Sequence, residues 1–112
     1  MIGRVLGVFG VGLIGGSVGL HARANGVYVI GSDADPAALD AASEAGAIDA
    51  AVTPETLTKE ADTLVLATHL DPTLRELERL AGRPHTPALV LDVASVKAPV
   101  VAAAARVANF VA

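Results

Sequence analysis

Between Phe9 and Ser17 the chain reads Gly10-Val11-Gly12-Leu13-Ile14-Gly15-Gly16, and this stretch with its flanks constrains the fold more than any other feature. Arg4 to Phe9, before it, reads as a buried strand. Leu13 to Asn25, after it, reads as a helix, with Gly26 placed to take the left-handed residue that ends one. A strand running straight into a helix through a G-x-G-x-x-G turn has a specific geometry. Gly10 permits the tight turn, Gly12 leaves the backbone open to a close neighbour, and Gly15 lets helix and strand approach.

The rest of the chain repeats the alternation. Val27 to Ser32 reads as a second strand. Asp35 followed by Pro36 starts a helix, with Leu39, Ala42 and Ala45 as its buried stripe and Gly46 as its stop. Ile48 to Val52 reads as a short edge strand. Thr53-Pro54-Glu55 opens a helix to about Ala61, and Thr63 to Thr68 is a further strand. From Pro72 to Ala81 the spacing predicts an amphipathic helix: Leu70, Leu74, Leu77 and Leu80 align, with Arg75, Glu76, Glu78 and Arg79 outward. Ala88 to Val93 reads as a strand, Ser95 caps a last helix, and Asn109 to Ala112 begins one more strand. Strands alternating with helices call for an α/β fold with a doubly wound parallel sheet.

Composition narrows the function. The 112 residues suffice for one domain, so residues 1–112 are read as a single unit. Aromatic residues are 3% of the chain, too few for sites built on base stacking. The net charge is −4 with scattered Lys and Arg, so no nucleic-acid partner is expected. The absence of cysteine removes thiolate metal sites and thiol nucleophiles and fits a reducing cytoplasm. His21, His69 and His85 lie far apart, so no metal is expected. Val5 to Leu20 with Ala22-Arg23-Ala24 has roughly a signal-peptide layout, but its glycines weaken a membrane helix and it is too short to span a bilayer. No membrane partner is expected.

The glycine turn in this context points to a dinucleotide. The helix N-terminus offers the free N–H groups of Leu13, Ile14 and Gly15, and a positive dipole end, to a pyrophosphate. A glycine-rich turn packed only for structural reasons is the competing reading. Asp33 closes the second strand about twenty residues on, where an acid accepts hydrogen bonds from the adenosine ribose hydroxyls. It repels a 2′-phosphate, which favours NAD over NADP. Asp35 is explained by capping. Ligands of such sheets sit beyond the carboxyl ends of the strands, so Gly10–Gly15, Ala67-Thr68-His69 and Val93-Ala94-Ser95 are expected to converge. His69 is the only histidine there and a candidate for a cofactor or proton role. Ser95 is both an N-cap and a candidate for touching nicotinamide or substrate.

These residues together resemble one family. Gly10-Val11-Gly12-Leu13-Ile14-Gly15-Gly16-Ser17 is similar to the G-x-G-L-I-G-G-S opening of prephenate and arogenate dehydrogenases. Ile30-Gly31-Ser32-Asp33 resembles its second-strand ending, Gly46-Ala47-Ile48-Asp49 its G-x-I-D turn, and Leu91-Asp92-Val93-Ala94-Ser95-Val96-Lys97 its D-x-G-S-V-K segment. The resemblance covers almost the whole chain. It implies a Rossmann-type fold and the oxidative decarboxylation of prephenate or arogenate with NAD, in cytoplasmic tyrosine biosynthesis. The roles it carries over are Gly10, Gly12 and Gly15 at the pyrophosphate, Asp33 at the ribose, and Ser95 as the catalytic serine near nicotinamide and substrate hydroxyl.

Ala94 stands where the family has glycine, and His69 where it often has proline. Asn109-Phe110-Val111-Ala112 resembles the strand that leads, in the family, into a G-x-H-P segment with the catalytic histidine and then a helical second domain. These residues stop before both, so the expectation is that they bind dinucleotide without turnover. The last helix, Val96 to Ala108, is apolar nearly all round, and a further domain or a second copy is expected to cover it. Three other readings compete: a dinucleotide-sensing module without chemistry, a small reductase of the β-hydroxyacid or imine type, and a methyltransferase using S-adenosylmethionine. Ser95-Val96-Lys97 argues against the reductase. Gly7-Val8-Phe9, lacking the usual acid before the first glycine, argues against the methyltransferase.

Overall fold

The apolar run Val5–Phe9 forms β1, at the centre of a parallel six-stranded sheet. The computed structural model describes residues 4–68, 70–81, 89–92 and 110–111. Along these the order is β1 (Val5–Phe9), α1 (Leu13–Ala24), β2 (Tyr28–Ser32), α2 (Pro36–Ala45), β3 (Ala50–Ala51), α3 (Pro54–Glu60), β4 (Thr63–Leu66), α4 (Leu70–Ala81), β5 (Leu89–Asp92) and β6 (Phe110–Val111). The strands lie in the order β3-β2-β1-β4-β5-β6, every pair parallel. The chain winds outward from β1 to β3, returns to β4 on the other side of β1, and winds outward again. This is the doubly wound Rossmann-type sheet, with its topological switch between β1 and β4.

Successive strand residues face opposite sides, and the core divides accordingly. Val8 and Val29 pack with Val11, Ala42, Ala47 and Ile48 on one face. Ile30, Leu64 and Leu66 pack with Leu57, Leu77 and Val90 on the other. Both faces are therefore covered, as a parallel sheet of near-continuous apolar strands requires.

Among the described residues, the start signals of α2 and α3 and the stop signals of α1 and α2 hold. Asp35 accepts the Ala37 N–H and Thr53 the Thr56 N–H, each with proline following at the helix start. Gly26 and Gly46 end α1 and α2 with φ of 79° and 78°. Three details depart from the sequence pattern. α4 begins at Leu70, which puts Pro72 inside its first turn, where a missing N–H costs nothing. Ala45 is exposed, because α2 meets the sheet through Ala38, Leu39 and Ala42 in its earlier turns. Glu76, expected outward, is buried at 4% exposure, because α3 covers that flank of α4 and supplies it with partners. The expected last helix, Val96 to Ala108, lies outside the described residues. Among the described residues no helix is long and apolar enough to cross a membrane.

Candidate functional site

Where β1 ends, the chain turns on Gly10, whose φ of 96° suits glycine. Its N–H donates to the Ser32 carbonyl at 2.8 Å, which ties the turn to the end of β2. A Cβ on Gly10 would lie 2.7 Å from the Ala67 carbonyl oxygen, so the turn after β1 and the segment after β4 are pressed together. The Ala67 N–H completes this contact by donating to the Phe9 carbonyl at 2.8 Å. Gly10–Gly15 and Ala67-Thr68 thus converge at the switch point. The third expected segment, Val93-Ala94-Ser95, lies outside the described residues, as does His69.

Gly12 and Gly15 stand in opposite surroundings. A Cβ on Gly15 would stand 1.9 Å from the Gly10 carbonyl oxygen, so that glycine lets α1 lie on β1. A Cβ on Gly12 would meet none of the described residues within 4 Å. Gly12 is exposed at the N-cap of α1, and none of the described residues packs against it. Gly12 brings no capping side chain, and the first turn of α1 holds no acid. The first N–H groups of α1 and the positive end of its dipole therefore have no acid of their own turn before them. Leu13 and Ile14, which carry two of these N–H groups, extend their side chains into solvent at 89% and 56% exposure.

Asp33 is half-buried beside this turn. Its Oδ2 accepts the Val11 N–H and its Oδ1 the Asp35 N–H, each at 2.9 Å. Both oxygens keep acceptor capacity, since an ionised carboxylate offers about four sites.

Beyond the ends of β1 and β2 lies a cleft of about 370 Å³. Gly10, Asp33 and Ala34 form one wall; Pro72, Arg75, Glu76 and Arg79 on α4 form the other. Arg75 is exposed at its rim, whereas Glu76 and Arg79 are held inside. Arg79 donates through Nε to Glu76 Oε1 at 3.0 Å and through Nη2 to Glu76 Oε2 at 2.6 Å. Nη2 also donates to the Pro54 carbonyl at 3.1 Å and to Thr58 Oγ1. The hydrogen bond to Glu76 is the main reason the Arg79 guanidinium is held above its ordinary value, so it stays charged.

Sequence reasoning missed the α4 wall. The amphipathic spacing assigned Arg75, Glu76 and Arg79 to a solvated face, and no local signal marks them as lining a cleft. The weak hint was a charged cluster one turn beyond a segment already expected at the switch point.

The residues fit a dinucleotide on geometry alone: an open, unacidic helix N-terminus, a carboxylate at the end of β2, and a cleft between them and α4. Comparison with known proteins agrees. The family described as prephenate dehydrogenase, nucleotide-binding domain, matches residues 18–112. None of the curated proteins matches significantly. Among solved structures, the chain is similar to Synechocystis arogenate dehydrogenase, with 32% identity and a TM-score of 0.83 over 96% of this chain and 39% of that one. Prephenate dehydrogenase from A. aeolicus, solved with hydroxyphenyl propionate and NAD+, gives 24% identity and a TM-score of 0.80 over 96% and 40%. Mycobacterium tuberculosis 3-hydroxyisobutyrate dehydrogenase shares the fold, with 20% identity and a TM-score of 0.74 over 96% and 38%. The chain spans about two fifths of the length of these relatives. A family match over most of the chain, joined to this geometry, settles its membership: the chain belongs to the nucleotide-binding domain family of the prephenate dehydrogenases.

Proposed function

We propose that these residues are the NAD-binding half of an enzyme that oxidatively decarboxylates prephenate or its amino analogue arogenate in cytoplasmic tyrosine biosynthesis. The observation that carries the cofactor reading is the pairing of Gly12, open to space at the head of α1, with Asp33 hooked onto the same turn. The likeness to an arogenate dehydrogenase at 32% identity supports the substrate class.

The cofactor is NAD, which supplies a two-electron hydride acceptor when bound. The chain's own residues bind and orient it. Gly10 and Gly15 shape the turn, while the N–H groups at Gly12, Leu13, Ile14 and Gly15 hold the pyrophosphate. Asp33 accepts from the adenosine ribose hydroxyls through its spare acceptor sites and disfavours a 2′-phosphate by charge repulsion. The cleft between Ala34 and α4 would hold the adenine, with Pro72 as an apolar wall and the exposed Arg75 as a cation for a ring face. Ala67 and Thr68, after β4, would border the nicotinamide side, and His69 is assigned there by its sequence position. Ser95 orients the nicotinamide and the substrate hydroxyl, on the strength of the family resemblance.

The role proposed for these 112 residues is cofactor binding, and the expected behaviour is binding without turnover. Hydride transfer needs the substrate carbon held against the nicotinamide ring, and that positioning can supply a large part of the rate. Calorimetry with NAD and NADP, run beside an NADH-formation assay with prephenate and with arogenate, tests both parts. NAD binding with no NADH formed is expected. No NAD binding would refute the cofactor reading, and turnover by these residues alone would refute the division of labour.

A further inference from the structure

The pair of buried Glu76 and part-buried Arg79 has more hydrogen-bonding capacity than its structural role uses. The pair joins α3 to α4 through Thr58 and the Pro54 carbonyl. A seam of that kind packs at least as stably with apolar side chains, because burying two charges costs desolvation. Yet the pair lines the cleft opposite Asp33 and Ala34. Glu76 Oε1 accepts one hydrogen bond, from Arg79 Nε, and can accept a second. Arg79 uses Nε and Nη2, and its Nη1 donates to none of the described residues. The inner wall therefore offers a carboxylate acceptor beside a guanidinium donor, both fixed by each other and poorly solvated.

That pattern complements adenine. The 6-amino group of adenine donates, and its neighbouring ring nitrogens accept. In a 6-oxopurine the exocyclic atom accepts and N1–H donates, so the order is reversed and an oxygen is brought against a carboxylate. A site built to satisfy a donor rejects an analogue lacking it, because its own buried groups are left unpaired. We propose that Glu76 and Arg79 read the edge of the purine and make this cleft selective for adenine over 6-oxopurine dinucleotides. Glu76 accepts from the 6-amino group, and Arg79 Nη1 donates to the adjacent ring nitrogen. This rests on the NAD reading above.

The test is calorimetry of the protein with NAD and with nicotinamide hypoxanthine dinucleotide, which differs only in the purine. The expected result is binding of the hypoxanthine analogue at least about tenfold weaker. Glu76→Gln keeps the size and one carbonyl acceptor but loses the charge. It is expected to weaken NAD about tenfold and to shrink the preference to under about threefold. Arg79→Lys, which preserves the charge beside Glu76 and removes the fork, serves as the second variant and should shrink the preference likewise. Wild-type protein that binds both dinucleotides within twofold overturns this inference and leaves the NAD reading standing. So does a folded Glu76→Gln variant that keeps the full preference. Wild-type protein that binds neither dinucleotide overturns both.

Discussion

Asp33 Oδ2 accepts the backbone N–H of Val11 at 2.9 Å, so the first residue after β2 holds the glycine turn that follows β1. Its other oxygen holds Asp35, which in turn caps α2. One carboxylate therefore fixes the turn, starts the next helix and stands beside the cleft. Replacing it should act on both stability and recognition. Asp33→Ala leaves two part-buried or exposed N–H groups unpaired and should cost about 1–2 kcal/mol in chemical denaturation. By calorimetry NAD affinity should fall about tenfold or more. NADP should lose less, since the repelling charge is gone and Arg75 borders the same cleft.

The two inner glycines of the turn should respond oppositely to a single methyl group. Gly15→Ala places a Cβ 1.9 Å from a backbone oxygen that cannot swing away. It should cost about 2 kcal/mol or more and abolish measurable NAD binding. Gly12→Ala meets none of the described residues within 4 Å at a φ of −71°. Its stability should stay within about 1 kcal/mol of wild type, while NAD affinity falls at least about tenfold. Denaturation curves with and without NAD separate the two cases.

Far from the cleft, Asp49 closes the opposite end of β2. Its Oδ2 accepts the Val29 N–H at 2.7 Å, and its Oδ1 pairs with Arg23 at 3.0 Å. Arg23 Nη1 also donates to the Gly46 carbonyl at 2.7 Å, so α1 is tied to the turn after α2. Asp49→Ala should cost about 1.5–3 kcal/mol, because a part-buried backbone N–H loses a charged acceptor. Arg23→Ala should cost under about 1 kcal/mol, since that side chain is 39% exposed and solvent screens the pair. Both variants should bind NAD within about twofold of wild type.

The Glu76–Arg79 pair should show the asymmetry of buried charges. Arg79→Met strands a carboxylate at 4% exposure and should cost about 2–4 kcal/mol. The double variant Glu76→Leu/Arg79→Met should be more stable than that single variant. The Arg79 guanidinium is held above its ordinary value, so its pairing stabilises the fold at every pH below the ordinary arginine value and fades only above it. The stability gap between wild type and Arg79→Met should therefore stay flat between about pH 8 and pH 10.

Much of this molecule is legible residue by residue. Asp35-Pro36 and Thr53-Pro54 are helix starts because a side-chain oxygen caps an N–H while proline has none to satisfy. Gly26 and Gly46 are stops because left-handed backbone suits glycine. The strands are apolar enough to be buried on both faces, which already excludes a sheet open to water on one side. Glu76 shows where this reasoning fails. Helical periodicity places it on a polar flank, and only α3, eighteen positions earlier at Thr58, decides that the flank is covered.

The sequence by itself determined the order of the elements, the parallel sheet and the glycine turn, because each follows from backbone preferences and hydrophobic spacing within a dozen residues. The tertiary structure decided which distant groups meet. It set Asp33 on Val11, Ala67 on Gly10 and Glu76 on Arg79 and Thr58, and so gave the cleft its second wall. Those meetings depend on how β1, β2 and β4 stand side by side and how α3 and α4 cross the sheet. Periodicity states which side of an element is apolar, but not which polar neighbour another element will bring to its edge.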